Sequence, residues 1–208
     1  MILELMPFIQ GLMLGFSLII AIGPQNSFVI RQGILNNNIF IIALTCSLLD
    51  AALIFAGVMG FGSVIVPESS GFKIIVVCGI VFFLYYGFRS FRSSFSDSED
   101  ILFVSEKNER IGFTESILSC LALTLLNPHA YLDTVVLIGS VGVSFVGNDK
   151  NLFAYGAICA SFIWFFGIGY AARFLLPIFQ RPISWKILDF IIGVMMCIIA
   201  VSLIWFIA

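Results

Sequence analysis

Two aspartates stand where only hydrocarbon is expected. Asp50 lies about eleven residues into an apolar run that starts at residue 39, and Asp133 lies in a later apolar run with no Lys or Arg beside it. A charge at the centre of a membrane helix costs roughly 2.5–3.5 kcal/mol on insertion scales, so each acid needs a function or a hydrogen-bonded role between helices. Asp50 falls on a small and polar stripe, Ala43, Ser47, Asp50, Ile54 and Gly57, whose helical spacing faces it toward a cavity or another helix. A second pair of anomalies lies nearby in sequence: proline interrupts one apolar run at Gly23-Pro24-Gln25-Asn26 and another at Asn127-Pro128-His129. Proline breaks the backbone ladder. Asn is a good N-cap and Pro suits the first helical position, so Asn127-Pro128 can start a half-helix; Gly23-Pro24 can do so less strongly, the alternative being a plain kink. A helix N-terminus at membrane depth offers free N–H groups and a positive dipole end to an anion. The two breaks and two acids therefore predict a site of both signs, which fits a zwitterion carrying one further positive charge. His129 precedes Asp133 by four residues, on the same helical face, where it can relay protons or orient the acid; a neutral hydrogen-bonding role is the alternative.

The elements that must position these residues are membrane helices. Of 208 residues, 61% are hydrophobic and 11% charged, against about a quarter charged in a soluble domain. With a mean hydropathy of +1.12 the chain is predicted to be an all-α integral membrane protein forming one transporter domain over residues 1–208. Apolar runs and their interruptions predict six helices, near 5–33, 39–66, 72–91, 114–145, 151–177 and 185–207, and a polar loop over 92–112. Glu4 in place of a basic leader, before a long apolar run, argues against a cleaved signal peptide. If the loops after the first, third and fifth helices share one side, that side holds Arg31, Arg89, Arg92, Lys107, Arg110, Arg173, Arg181 and Lys186, and the other only Lys73 and Lys150. Basic residues stay in the cytoplasm. The expectation is a cytoplasmic 92–112 loop, both termini periplasmic, and two three-helix halves in inverted orientation, each opening on a proline-broken helix.

Other features are read more plainly. Arg31 and Arg173 stand at helix ends, where snorkelling explains them; the remaining reading is a gate that pairs with an acid. Gly11, Gly15, Gly57, Gly60, Gly62, Gly167 and Gly169 predict close helix packing. Most of the 23 Phe and 3 Trp are lipid-facing bulk, although Trp164 is available to stack on a flat cation. The five cysteines are scattered singly through apolar runs, which reads as packing, with no disulfide, metal site or cofactor implied. A formal charge of −2 without a basic cluster excludes nucleic acid as a partner. Two membrane aspartates also suit an intramembrane aspartyl protease, but its Gly-x-Gly-Asp motif is missing before both Asp50 and Asp133, so no enzyme is expected. A cation or metal exporter is the competing transporter reading; hard cations want six or more oxygens and soft ones thiolates at ligand spacing.

Four stretches together carry a resemblance: Gly23-Pro24-Gln25-Asn26-Ser27-Phe28-Val29 with Arg31-Gln32-Gly33, Cys46 to Asp50, Asn127-Pro128-His129-Ala130-Tyr131-Leu132-Asp133-Thr134, and Ala160-Ser161-Phe162-Ile163-Trp164-Phe165-Phe166. On these, over roughly residues 10–205, the chain resembles the LysE family of basic amino-acid exporters, and within it the arginine-exporting branch. Leu49 departs from the Ser expected before the helix-two acid, which bears on the choice between arginine and lysine. The resemblance implies that Asp50 and Asp133 are the family's two membrane acids and that export, driven by protons, runs across a bacterial inner membrane. The expected substrate site is Asp50 and Asp133 with Gly23, Pro24, Gln25, Asn26, Asn127 and Pro128, and Asp133 with His129 would couple protons. The expected partners are L-arginine or L-lysine, protons and membrane lipid; the sequence is silent on oligomeric state.

Overall fold

A computed structural model of the chain describes residues 5–20, 23–60, 70–95 and 111–207, and every regular element among them is a helix. Helix α1 (Met6–Ile19) ends just before the first proline break. The residue ahead of a proline is pushed out of the helical region, and Gly23 is accordingly extended (φ −119°, ψ −178°), with Pro24 opening α2 (Pro24–Ile34). The Asn-rich turn that follows places Asn36 (φ 49°) and Asn38 (φ 50°) in the left-handed region, which Asn tolerates better than bulkier residues. Helix α3 (Ile39–Val58) follows, then α4 (Ser70–Ser94). The second half holds α5 (Phe113–Leu125) and α6 (Pro128–Tyr131), which continues without a gap as a π-helical turn over Leu132–Ile138 and as α7 (Gly139–Gly142). Helix α8 (Asn148–Ala171) tightens into a 3-10 turn over Ala172–Leu175. The Pro177 to Pro182 break holds a second such turn, Ile178–Gln180, before α9 (Pro182–Ile207).

Three helical stretches are long and apolar enough to cross a bilayer: Ile39–Val58, Asn148–Leu175 and Ile183–Trp205. Two bent pairs add one span each if each pair crosses as a unit: Met6–Ile19 with Pro24–Ile34 at 82°, and Phe113–Leu125 with His129–Gly142 at 70°. Each expected proline-broken run is thus a pair of half-helices rather than a gently kinked rod. Large apolar side chains such as Met13, Val81, Phe88, Phe174 and Trp205 are exposed on the outer surface, as expected where the solvent is lipid. The molecule is an all-helical, multi-pass membrane protein.

Several boundaries differ from those read in the sequence. Helix α4 runs on to Ser94, so Arg92 is helical rather than the first residue of a loop. Helix α9 begins at Pro182 rather than 185, because proline at a first helical position gives up no backbone bond. The far end of the expected 39–66 helix, Gly62, and residues 96–110 of the polar loop lie outside the described residues.

Close backbone approach holds the helices together. A Cβ on Gly11 would lie 2.0 Å from the Phe153 carbonyl oxygen, and one on Gly156 2.0 Å from that of Phe8, so α1 and α8 cross with nothing between them. Gly57 and Gly139 bring α3 against the π turn and α7, where a Cβ would lie 2.7 and 2.9 Å from backbone atoms, and Gly33 brings α2 against Gly169 of α8. Helix α4 lies along α9, with Phe91 over Gly193. Gly167, expected in a packed interface, faces open space instead.

Candidate functional site

The two helix breaks face each other across a cavity of about 280 Å³. Gly23, Pro24, Gln25 and Asn26 line it from the first break, Asn127 and His129 from the second, and both Asp50 and Asp133 reach it. Pro128, the remaining expected site residue, opens the helix that carries His129 and Asp133. Residues from α2, α3 and α6 that are up to about a hundred positions apart are therefore brought to one hollow, with Phe165 of α8 as its apolar wall.

Each break satisfies its freed backbone groups with its own side chains, as a membrane interior demands. At the first, Asn26 Nδ2 donates to the Ile19 carbonyl at the end of α1 (2.8 Å), and Asn26 Oδ1 accepts from Trp164 Nε1 (3.2 Å). At the second, Tyr131 OH donates to the Leu125 carbonyl at the end of α5 (2.9 Å), and Asn127 Oδ1 accepts from the His129 backbone N–H (3.2 Å), an N-cap bond. Two helix N-termini are thereby held at the cavity, where their dipoles present a positive end to an anion.

The acids are supported differently. Asp50 is 5% exposed, and Ser161 Oγ donates to its Oδ2 at 3.0 Å. The Gln25 amide lies against Asp50, while its buried Nε2 makes no hydrogen bond. Asp133 sits in the π-helical turn, where Thr134 Oγ1 donates back to the Ala130 carbonyl. Such turns offset successive side chains from the ordinary helical positions. His129 is close enough to Asp133 for their charges to interact, and its Nε2 is 3.2 Å from Ser202 Oγ on α9. Among the described residues, neither Asp50 nor Asp133 is paired with a Lys or Arg. The hollow thus offers two acids to a cation and two helix ends to an anion.

The structure completes the sequence reading at three points, and for Arg31 it favours the pairing with an acid over snorkelling. Trp164 does not line the cavity; it holds Asn26 by its indole N–H, and the ring presented to the cavity is that of Phe165. Ser161 was noticed only as part of a matching stretch, although a buried Ser one turn from a membrane Trp is a usable signal for a side chain that serves another. Arg31 does not snorkel: it pairs with Asp189 on α9 and stands over the Trp185 ring at 5.9 Å. Asp189 carries no signal of its own in the sequence, because its partner Arg31 is 158 residues away. Arg173 is exposed at its helix end, near the Phe174 ring.

Residues 16–205 match the family described as LysE type translocator. The chain belongs to this family. It is 40% identical over 197 residues to a Shigella flexneri protein named arginine exporter protein ArgO, covering 94% of this chain and 92% of that one. An Escherichia coli protein of the same name is 39% identical over the same shares, and one from Pectobacterium carotovorum is 37% identical over 94% of this chain and 95% of its own length. No solved structure matches. A translocator family leaves no place for the protease alternative: the chain is a transporter and not an enzyme. Among the described residues no three or more His, Cys, Asp or Glu are placed to hold a metal ion.

Proposed function

We propose that this chain exports basic amino acids, L-arginine first and L-lysine as the second substrate to test, across the bacterial inner membrane in exchange for protons. The observation that carries this reading is the cavity itself: two acids without a basic partner face two helix N-termini in a hollow of about 280 Å³. A basic amino acid supplies both missing signs. Asp50, fixed by Ser161, takes the cationic side chain, and the ends of α2 and α6 take the carboxylate. The relatives' printed name, arginine exporter, points to the same class.

Proton coupling follows from competition. A bare carboxylate in the membrane is costly until a proton or a cationic substrate neutralises it, so the two exclude each other at Asp133, and mutual exclusion is all that antiport requires. His129, beside Asp133 and against Ser202, is the group through which that proton travels.

Six spans in two inverted halves fit the packing. Exchanging α1 with α5, α2 with the π-turn helix, α3 with α8 and α4 with α9 turns each main packed pair into another packed pair: α1 on α8 into α5 on α3, and α2 on α9 into α6 on α4. This reading makes the 25-residue α4, about 37 Å long, the sixth span. The division of basic residues then puts both termini outside. A cysteine replacing Ser98 is shielded from impermeant thiol reagents in intact cells; labelling from outside reverses the topology.

Proteoliposomes test the function directly. A proton gradient drives uphill arginine movement and an uncoupler abolishes it, whereas Asp133→Asn retains arginine-for-arginine exchange and loses only the proton-driven component. Wild-type transport that ignores the pH gradient, or full proton-driven export by Asp133→Asn, overturns the antiport.

A further inference from the structure

A second ionic centre lies about one and a half turns along α2 from the cavity. The carboxylate of Asp189, 3% exposed, is taken up on one oxygen by Arg31 Nη1 and on the other by Ser93 Oγ at 2.6 Å. One acid thus ties α2, α4 and α9 together. Arg31 and Ser93 also line a cleft of about 150 Å³, with Gln32, Arg89 and Glu115 around them. The cleft and the central cavity are consecutive along α2: Asn26 lines the cavity and Phe28 the cleft, two residues or about 3 Å of helix rise apart. Apolar side chains join the two hollows: Phe28 at the cleft and Phe165 at the cavity belong to one buried cluster with Phe83, Leu123 and Met196. Two polar hollows joined by one apolar cluster, with an ion pair at its edge, have the form of a closed gate.

We infer that the cleft is an entry subsite for a cationic amino acid and that the Arg31–Asp189 pair is the latch of a gate between it and the cavity. The inference rests on the proposed substrate class. An arriving arginine carries the same guanidinium that Arg31 places on Asp189, so it can take Arg31's place on the acid without leaving the buried carboxylate bare. Glu115 adds a second acid to attract the cation, and Arg89 offers a partner for the substrate carboxylate. Substitution by a like group keeps Asp189 balanced, and the substrate carboxylate and Glu115, in the same cleft as Arg31, are there to take the displaced guanidinium, whereas simply breaking the pair strands two charges. Loading the subsite and releasing α2 from α9 are therefore one event, and Phe28 moves with α2.

The test separates a latch from a brace. In a chain whose five cysteines are replaced by alanine and which carries Ala130→Cys on the cavity wall, impermeant thiol reagents are applied to intact cells and to inside-out vesicles. Arg31→Gln with Asp189→Asn removes both charges together and speeds labelling about ten-fold on one side of the membrane only. With the pair intact, L-arginine speeds labelling on that side and citrulline, its neutral isostere, does not. Equal labelling rates with and without the pair, or equal effects of arginine and citrulline, overturn the latch. In the chain with its native cysteines the same double replacement raises the arginine KM about ten-fold on that side with the maximal rate kept; an unchanged KM overturns the subsite. A wild-type chain that moves no basic amino acid, yet labels faster once the pair is removed, sinks the proposed substrate and leaves the gate standing.

Discussion

Asp50 and Asp189 are buried to nearly the same degree, 5% and 3% exposed, on helices of similar apolar character, and the molecule treats them oppositely. Asp189 meets a guanidinium and a hydroxyl, which neutralise it within the protein. Asp50 meets the hydroxyl of Ser161 and the amide of Gln25, neither of which brings a charge. An acid balanced by the fold holds helices together, while an acid left unbalanced needs a cation from elsewhere. Burial alone therefore does not separate the two acids; the missing counter-charge does.

That contrast is broken most severely at Asp189. Asp189→Asn leaves Arg31 charged and without its acid, and losing one partner of a buried pair costs about 3–5 kcal/mol, read as a lowered Tm in detergent. Adding Arg31→Gln restores most of that loss; a double replacement no more stable than the single one places the stabilisation outside the pair. At Asp50 the effect is reversed in kind. Asp50→Asn keeps the shape, so the protein inserts at wild-type levels while arginine efflux falls at least about a hundred-fold, roughly 2.7 kcal/mol. Wild-type efflux from this variant removes Asp50 from the site. Ser161→Ala sharpens the comparison by taking away only the neutral support: a hydrogen bond to a charged group is worth about 1.5 kcal/mol, so arginine affinity falls about ten-fold with stability nearly unchanged. The smallest change is at the second helix break. Asn127→Ala loses the cap on the His129 N–H, about 1 kcal/mol, and slows export about five-fold, whereas Asn127→Ser recovers most of the rate by capping in its turn. Equal rates for Ala and Ser at this position exclude the cap as the cause.

What the sequence determined by itself was whatever depends on a short stretch of chain. Apolar runs too long for a soluble domain made the protein membranous, because hydrocarbon tolerates a backbone only when it bonds to itself. Proline after Gly23 and after Asn127 made two half-helix starts, because a missing N–H and a fixed φ act on the neighbouring residues alone. Asp50 and Asp133 declared themselves by their cost. What only the tertiary structure decided was which side chain answers which. Arg31 and Asp189 are 158 residues apart, Asp50 and Ser161 are 111, and Asn26 and Trp164 are 138. Read alone, Arg31 is a snorkelling side chain or a gate whose acid is unnamed, Trp164 is a ring open to a ligand, and neither Ser161 nor Asp189 shows a partner. Helix spacing shows which face a residue occupies, but the neighbour opposite that face is set by the crossings at Gly11, Gly57 and Gly156, where backbones nearly touch. Charge balance in a membrane is a property of such pairs, so an acid balanced by the fold and an acid left without a counter-charge become distinguishable only once the helices have packed.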